Sequence, residues 1–525
     1  MNPNRARIED IYPLSPMQQG MLFHSLREPD AGLYVEQTSW LIEADLAVEA
    51  FRQAWSEAVR RHSILRTSFA WDGLDEPMQV VHRSVELPFA FEDLRTLPAS
   101  EREAVLAGRE RDLRSAGFDL ARPPLMRLSL FRLDERSFVF VWTHHHVLLD
   151  GWSVPLLLFE VVDSYRALAA GGEPRSRLIR PYRDYIAWLR GKDPASAREF
   201  WTRELAGFEA PTRLPAATRE GNGPAAAAPS SIGGSHRVLM SRDLTSRMES
   251  LCRREGVTLS TLLHGAWGLV LARHAGEADV VFGSTVSGRP ADLAGSEGMV
   301  GLFINTLPVR VRVDEGAEVG EWLRGLQGKL AELRAYEYSP LVEVQGWSEV
   351  PRGRPLFETL FVFENYPVQE KEAAGGLEVR ERASHSRTNF PLTVAASPGA
   401  ELGLEFSCDG ELYDVRAIER LAGRFERLLE DIAGTATRVR DVGILPEPEA
   451  RTILETWSRG ADREVRARSF HELVEGWSEA TPGAVAVVGP TLGTCGEAGA
   501  RVELTYGDLE VRANRVAAYL RSLGV

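Results

Sequence analysis

The chain has 525 residues, 44% of them hydrophobic and 26% charged, which is too long for one ordinary core and fits two to four globular lobes. A formal net charge of −14 argues against general nucleic-acid binding, which needs clustered Lys and Arg, and no apolar run is long enough to span a bilayer. Cys252, Cys408 and Cys495 lie far apart and no secretory leader opens the chain, so neither a disulfide framework nor a zinc site is indicated, and a reducing cytoplasm is expected.

Near the start, Ser15 can cap a helix with Pro16 in its first turn and Met17, Met21 and Leu22 on one face. Tyr34–Ile42 reads as a strand. Leu46–Arg61 reads as a helix with Phe51, Trp55 and Val59 inward, and Arg61–Phe69 as a turn leading into a strand. Ser137–Trp142 is β-branched and aromatic, as in a buried strand, while Val154–Ala169 has apolar residues at helical spacing and Pro155 in its first turn.

Between that strand and that helix lies Thr143-His-His-His-Val-Leu-Leu-Asp-Gly-Trp-Ser153. Such a turn places imidazoles, a carboxylate and a glycine at a helix N-terminus, where amides and the dipole favour negative charge. A single histidine at a strand end is usually structural, and Asp-Gly is usually a plain turn. Three consecutive histidines make an active site an equally good reading. Adjacent strand side chains point to opposite faces, so His145 and His146 do not easily share a metal ion. His144 and His146 could, but no third ligand lies close in sequence.

Further on, Gly171–Pro174 reads as a linker, Pro181–Leu189 and Ala197–Trp201 as helices, and Asn222–Gly234 as a low-complexity loop. A second strand–helix series follows, with His236–Met240 as a strand and helices near Leu244–Arg254 and Thr258–Arg273. Asp279–Pro290 reads as a buried strand and a turn, Ser386–Leu392 and Leu402–Cys408 as further strands. Val415–Ala433 reads as an amphipathic helix with Ile418, Leu421, Phe425, Leu428 and Leu429 on its apolar side. Two halves of similar build suggest a pseudo-dimer of related α/β lobes.

His145-His146-Val-Leu-Leu-Asp150-Gly151 resembles the HHxxxDG motif of nonribosomal peptide synthetase condensation domains, shared with epimerization domains and acyltransferases of the chloramphenicol acetyltransferase type. Other segments are similar to the same family in the same order. They are Met17-Gln-Gln-Gly-Met-Leu-Phe-His24, Arg61–Phe69 (RHxxLRTxF) and Gly301-Leu-Phe-Ile-Asn305-Thr (GxFxNT), with Tyr338–Gln345 and Arg354–Tyr366 as looser matches. The resemblance spans roughly Ile8 to Ile444. It implies two chloramphenicol-acetyltransferase-like lobes in a V, divided here as 1–175 and 176–445, with the active site on the cleft floor. Residues 446–468 read as a linker. Residues 469–525 resemble the start of an adenylation domain, with Leu504-Thr-Tyr-Gly-Asp508-Leu departing from its LTYxEL motif at Asp508.

The function implied is amide-bond formation between a donor acyl or peptidyl thioester and the amine of a carrier-bound aminoacyl acceptor. His146, His145 and Gly151 are expected to be catalytic, His146 accepting or orienting the amine's proton and the free amides near Gly151 and Trp152 serving the oxyanion. The family pattern pairs Arg66 with Asp150 as structural support, and Trp152, Ser153 and Asn305 are expected along the substrate channel. No intrinsic cofactor is expected. Phosphopantetheine arms of carrier proteins, or a coenzyme A thioester, would bring the substrates. The partners implied are an upstream donor carrier or acyl-CoA, a downstream acceptor carrier and the module's adenylation domain, with no nucleic acid and no membrane. The fold begins within about ten residues of Met1, so a donor arriving in trans is expected. The MQQGMLFH wording suits a D-configured donor, which is favoured, or an acyl starter. A non-catalytic carrier-docking module is the rival from another class.

Overall fold

The computed structural model describes residues 7–175, 179–214, 234–365, 378–459, 469–490 and 501–525. After β1 (Ile8–Pro13), Ser15 Oγ accepts the Gln18 N–H at 3.3 Å while the Gln18 side chain accepts the Ser15 N–H at 2.9 Å. This reciprocal cap starts α1 (Pro16–Arg27). β2 (Val35–Glu43), α2 (Val48–Arg61), β3 (Thr67–Ala70), β4 (Met78–His82), β5 (Phe89–Asp93), α3 (Ala99–Ser115), β6 (Met126–Asp134), β7 (Ser137–His145) and α4 (Ser153–Ala169) complete the first series.

Alternation on β7 decides what covers each sheet face. Phe138, Phe140 and Trp142 look toward α2, where Trp55 meets Trp142 edge-on at 5.0 Å. Val139 and Val141 look the other way, into a smaller cluster with Leu94 and Leu106 of the α3 side. Both faces are covered, which is why β7 reads as one continuous apolar run.

The second series runs α5 (Arg183–Arg190), α6 (Pro194–Glu204), β8 (Gly234–Leu239), α7 (Arg242–Glu255), α8 (Leu259–Ala275), β9 (Asp279–Val286), β10 (Asn305–Arg312), α9 (Val319–Arg334), α10 (Leu341–Trp347), β11 (Thr359–Phe363), β12 (Glu378–His385), β13 (Leu392–Ser397), β14 (Gly403–Cys408) and α11 (Val415–Ile432). Its sheet has the order β10-β9-β11-β13-β14-β8, with β11 parallel to both neighbours and the other pairs antiparallel. Trp267 of α8 and Phe425 of α11 anchor its core. The molecule is thus an α/β fold of two lobes, each a mixed sheet with helices packed on it.

The lobes exchange segments, so the expected boundary at residue 175 is crossed. β12 leaves the second series and pairs antiparallel with β2, giving the first lobe's sheet the order β12-β2-β7-β6-β5. The connection between β9 and β10 also packs into the first core. It contributes Leu293, Met299, Val300, Leu302 and Phe303 beside Tyr182, Tyr185 and Ile186. Of Ser386–Leu392, expected as a strand, residues 386–391 instead connect β12 to β13, and only Leu392 is in a strand, at the start of β13. All of Asn222–Gly234 except Gly234 falls outside the described residues, as do Tyr366 and Cys495.

Glu447–Val525 is a separate compact unit. Residues 447–457, expected as linker, are helical: α12 (Glu447–Arg451) continues as a π-helical turn over Thr452–Trp457. α13 (Phe470–Ala480), the hairpin of β15 (Val485–Pro490) with β16 (Arg501–Thr505), and α14 (Tyr506–Ser522) follow. Asp508 sits at the third position of α14 and its carboxylate accepts from the Thr505 hydroxyl at 2.8 Å, which accounts for an acid at that position. Neither α13 nor α14 buries a residue. No helix among the described residues is long and apolar enough to cross a membrane.

Candidate active site

β7 ends at His145, and the chain turns before α4 begins at Ser153. Two hydrogen bonds in this turn fix the state of the histidines. His146 Nδ1 lies 2.6 Å from the Leu149 carbonyl oxygen, which can only accept, so Nδ1 carries the hydrogen. Nε2 of a neutral His146 is therefore a free acceptor. His145 is the reverse: its Nδ1 accepts the Val147 N–H at 3.1 Å, so its Nε2–H donates to Ser25 Oγ at 3.2 Å. Both ring nitrogens of His145 are occupied. Burial holds His145 and His144 neutral, with pKa values pushed down to about 3, and the neighbouring His146 adds to the effect. His146 keeps partial exposure while the other two are buried. Of the three, only His146 has the exposure and the free nitrogen that proton transfer needs. His145, expected in the chemistry, is a buried support.

The backbone of His146 is held as firmly as its ring. Its N–H donates to the Tyr34 carbonyl at 2.8 Å. Tyr34 has φ +60, a left-handed conformation that a bulky residue adopts only when its surroundings compel it. Here they do: its N–H donates to the Arg387 carbonyl at 2.9 Å and its hydroxyl to Asn389 Oδ1 at 2.8 Å, both on the connection between β12 and β13.

Asp150 is 1% exposed and spends its carboxylate on the loop. Oδ1 accepts the Ser153 N–H at 2.8 Å and Oδ2 accepts the Phe303 N–H at 2.9 Å. The expected partner, Arg66, is not there. The cation beside Asp150 is Arg289, at 3.3 Å. Arg66 is buried at the β1–β4 sheet, where it pairs with Glu9 at 2.7 Å and donates to the carbonyls of Val59 and His82. Arg61 is committed as well, to Glu160 of α4 at 2.9 Å, next to the contact of His62 with the same carboxylate. The sequence reading missed Arg289. The signal was the turn Ser287-Gly288-Arg289 after β9: Gly288 has φ +58, and a Cβ there would collide with the Phe303 carbonyl oxygen. Only glycine lets this turn lie against residue 303 and deliver Arg289 to the histidine loop.

Arg289 also donates to Ser153 Oγ at 2.9 Å and to the Met299 carbonyl at 2.9 Å, and it lies over the Phe303 ring at 4.1 Å. Ser153 Oγ donates to the Gly301 carbonyl at 2.7 Å and accepts the Gly301 N–H at 3.0 Å. Ser153 is fully buried by these contacts and supports the loop, where a channel contact was expected. Asn305 likewise commits its amide to the carbonyls of Glu337 and Ser339, at 2.9 and 2.7 Å, ordering the start of β10. Gly151 and Trp152 stay partly exposed, and their amides find no acceptor among the described residues. The turn offers one free imidazole nitrogen and, a few residues on, N–H donors without an acceptor among the described residues, which suits general-base chemistry with stabilisation of a developing oxyanion.

The condensation-domain family profile matches residues 8–454. A linear gramicidin synthase of Brevibacillus parabrevis is 43% identical over 528 residues, covering all of this chain and 7% of that protein. Bacitracin synthase 3 of Bacillus licheniformis is 33% identical over 528 residues, covering 99% of this chain and 8% of the synthase. The chain therefore spans a small part of these relatives' length. Among solved structures, the starter condensation domain of rhizomide synthetase, in complex with C8-CoA and Leu-SNAC, superposes with TM-score 0.70 at 18% identity, over 83% of this chain and 98% of that one. A four-domain nonribosomal peptide synthetase bound to AMP and glycine superposes with TM-score 0.71 at 18% identity, over 99% of this chain and 39% of that one. These structural likenesses concern the fold. The family match over most of the chain, together with the HHxxxDG turn, shows that the chain belongs to the condensation-domain family.

Proposed function

We propose that this chain joins a donor acyl or peptidyl thioester to the amine of a carrier-bound aminoacyl acceptor. The observation that carries this reading is the His146 tautomer. With Nδ1–H tied to Leu149, Nε2 is free to take a proton from the amine as it attacks the thioester carbonyl. The carbonyl oxygen gains negative charge, and the amides of Gly151 and Trp152 are the donors at hand for it. When the tetrahedral adduct collapses, the thiolate leaves and takes the proton back from His146. No acyl-enzyme is required. Both cysteines among the described residues are buried, with thiols pushed up by burial, so neither is an activated nucleophile.

For the donor, a D-configured aminoacyl or peptidyl group is preferred over a fatty acyl starter, on the wording of Met17–His24 in α1. For Glu447–Val525, the start of an adenylation domain is proposed on the LTYGDL cap of α14, with carrier proteins and that domain as partners. The test supplies the next carrier loaded with its amino acid, then offers acyl-CoAs of several lengths or a D-aminoacyl carrier in separate reactions. Amide formed only from the D-aminoacyl carrier supports the preference. Amide formed from acyl-CoA with no upstream carrier overturns it. No amide from any donor would overturn the catalytic reading and favour a docking module.

A further inference from the structure

Beside the histidine turn lies a carboxyl with no role in the steps above. In the β2–β7 ladder Glu36 pairs with His144, so alternation puts the two on one face of the sheet. His146 lies two residues beyond His144 and bonds to the Tyr34 carbonyl, which makes it the diagonal neighbour of Glu36. Diagonal neighbours are roughly 7–8 Å apart at Cα, within reach of one small group held between long side chains. Glu36 accepts one hydrogen bond, from Ser386 Oγ at 2.7 Å, and no cation pairs with it among the described residues. It keeps some exposure, yet burial raises its carboxyl above the ordinary 4.5, with the neighbouring His146 and the Ser386 hydrogen bond acting the other way.

A second carboxyl within electrostatic reach of Glu36 comes from the other lobe. Glu364, just past β11, is also raised, chiefly by burial and further by Glu405 and Glu36, and accepts from Ser397 Oγ at 2.7 Å. Arg237 of β8, the cation on that side, is committed to Glu405 at 2.6 Å. His385 pairs with Gln37 and so belongs to the opposite face, and Arg387 donates to the Ala31 carbonyl. Glu36 is therefore left without a cation, and burial raises both its carboxyl and that of Glu364. That is a setting for a cationic group brought from outside.

We propose that Glu36 receives the acceptor amine in its ammonium form and takes its surplus proton before bond formation. The inference rests on the amide-forming reading. An acceptor arriving as R–NH3+ has no lone pair for attack. Docked on the Glu36 carboxylate it passes one proton across, leaving R–NH2 and Glu36–COOH. The neutral amine then attacks the thioester carbonyl, its second proton goes to His146 Nε2, and the thiolate recovers that proton on leaving. Glu36 returns its own proton to solvent when the product departs. The two bases divide the work: Glu36 prepares the nucleophile, and His146 acts on the bond-forming step.

The test is Glu36→Gln in the full chain, using a donor that the wild type converts. Two acceptors are compared as N-acetylcysteamine thioesters: an ordinary aminoacyl group, and an aminooxyacetyl group whose nitrogen is already neutral. With the ordinary amine the variant should lose about 10²-fold in rate near neutral pH and recover as rising pH removes the ammonium proton. With the aminooxy acceptor it should stay within about twofold of wild type, which also shows that the variant is folded. Ser386→Ala, which removes the hydrogen bond favouring the Glu36 anion, should lose more rate on the acid side than on the alkaline side. Equal loss with both acceptors, or no loss with either, overturns the proposal. No amide from the wild type with any donor would instead overturn the reading on which it rests.

Discussion

Arg289 reaches Asp150 at 3.3 Å across 139 residues of chain, and both side chains are almost wholly buried. Burying either charge alone would cost several kcal/mol, so each is tolerable because the other is there. The pair joins the turn after β9 to the histidine loop, and the Phe303 and Ser153 amides complete the carboxylate's contacts. What results is a fixed path for residues 147–153, and with it the Leu149 carbonyl that sets the His146 tautomer.

Arg289→Ala is expected to destabilise the protein by about 3–5 kcal/mol, since it strands a buried carboxylate. A double-mutant cycle with Asp150→Asn should show coupling of more than about 0.5 kcal/mol, whereas Arg66→Ala with Asp150→Asn should be additive. Coupling between 66 and 150 instead would restore the pairing read from the family pattern.

Gly288→Ala drives a Cβ into the Phe303 carbonyl oxygen at a φ of +58. The turn must shift, at a cost of about 2–5 kcal/mol, and Arg289 moves with it. Thermal unfolding should show a lower Tm, with amide formation reduced beyond what the lost folded fraction explains. An unchanged Tm would mean that the two segments do not meet.

Burial holds His264 neutral, its pKa pushed down to about 4 from an ordinary 6.5, and His144 and His145 to about 3. The unfolded chain takes up protons below about 6.5 that the folded one refuses. Stability is therefore complete above that pH and declines as pH falls toward 3 to 4, by up to about 1.4 kcal/mol per pH unit for each imidazole. His264 lies away from the histidine turn, its Nδ1–H on the Ser260 carbonyl and its Nε2 accepting from Ser284 Oγ at 2.7 Å. His264→Gln should thus show a shallower loss of Tm on acidification than wild type. Parallel curves would remove His264 from the account.

In Glu447–Val525, Phe470 is 81% exposed and Trp477 57%, and no residue of α13 or α14 is buried. Limited proteolysis should remove this unit rapidly and leave a stable fragment ending near Pro446. A protected fragment running through α14 would contradict that.

Much of the fold was legible because local chemistry decided it. The Ser15 cap, the apolar run of β7 and the stripe of Ile418, Leu421, Phe425 and Leu428 each point to one structure, and α11 begins at Val415 as its periodicity implies. The crossing of β12 to β2 was not legible, since Glu378–His385 carries mostly polar side chains and no stripe to say which sheet it joins. His146 could be singled out by its motif, but its tautomer depends on a carbonyl folded back from Leu149. Asp150 clearly needed a cation; choosing among Arg61, Arg66 and Arg289 required knowing that Glu160 and Glu9 had taken the first two. Glu36 carried no signal, because an acid on a half-buried strand gains meaning only from the register that sets it beside His146.

The central claim is that the free Nε2 of His146 performs the proton transfer, and the direct measurement is amide formation by His146→Ala in the full chain beside the wild type. The rate should fall about 10²–10⁴-fold while the Tm stays within a few degrees, because His146 is partly exposed and the backbone hydrogen bond to Tyr34 is kept. A variant that folds and forms amide within about twofold of the wild-type rate would contradict the account.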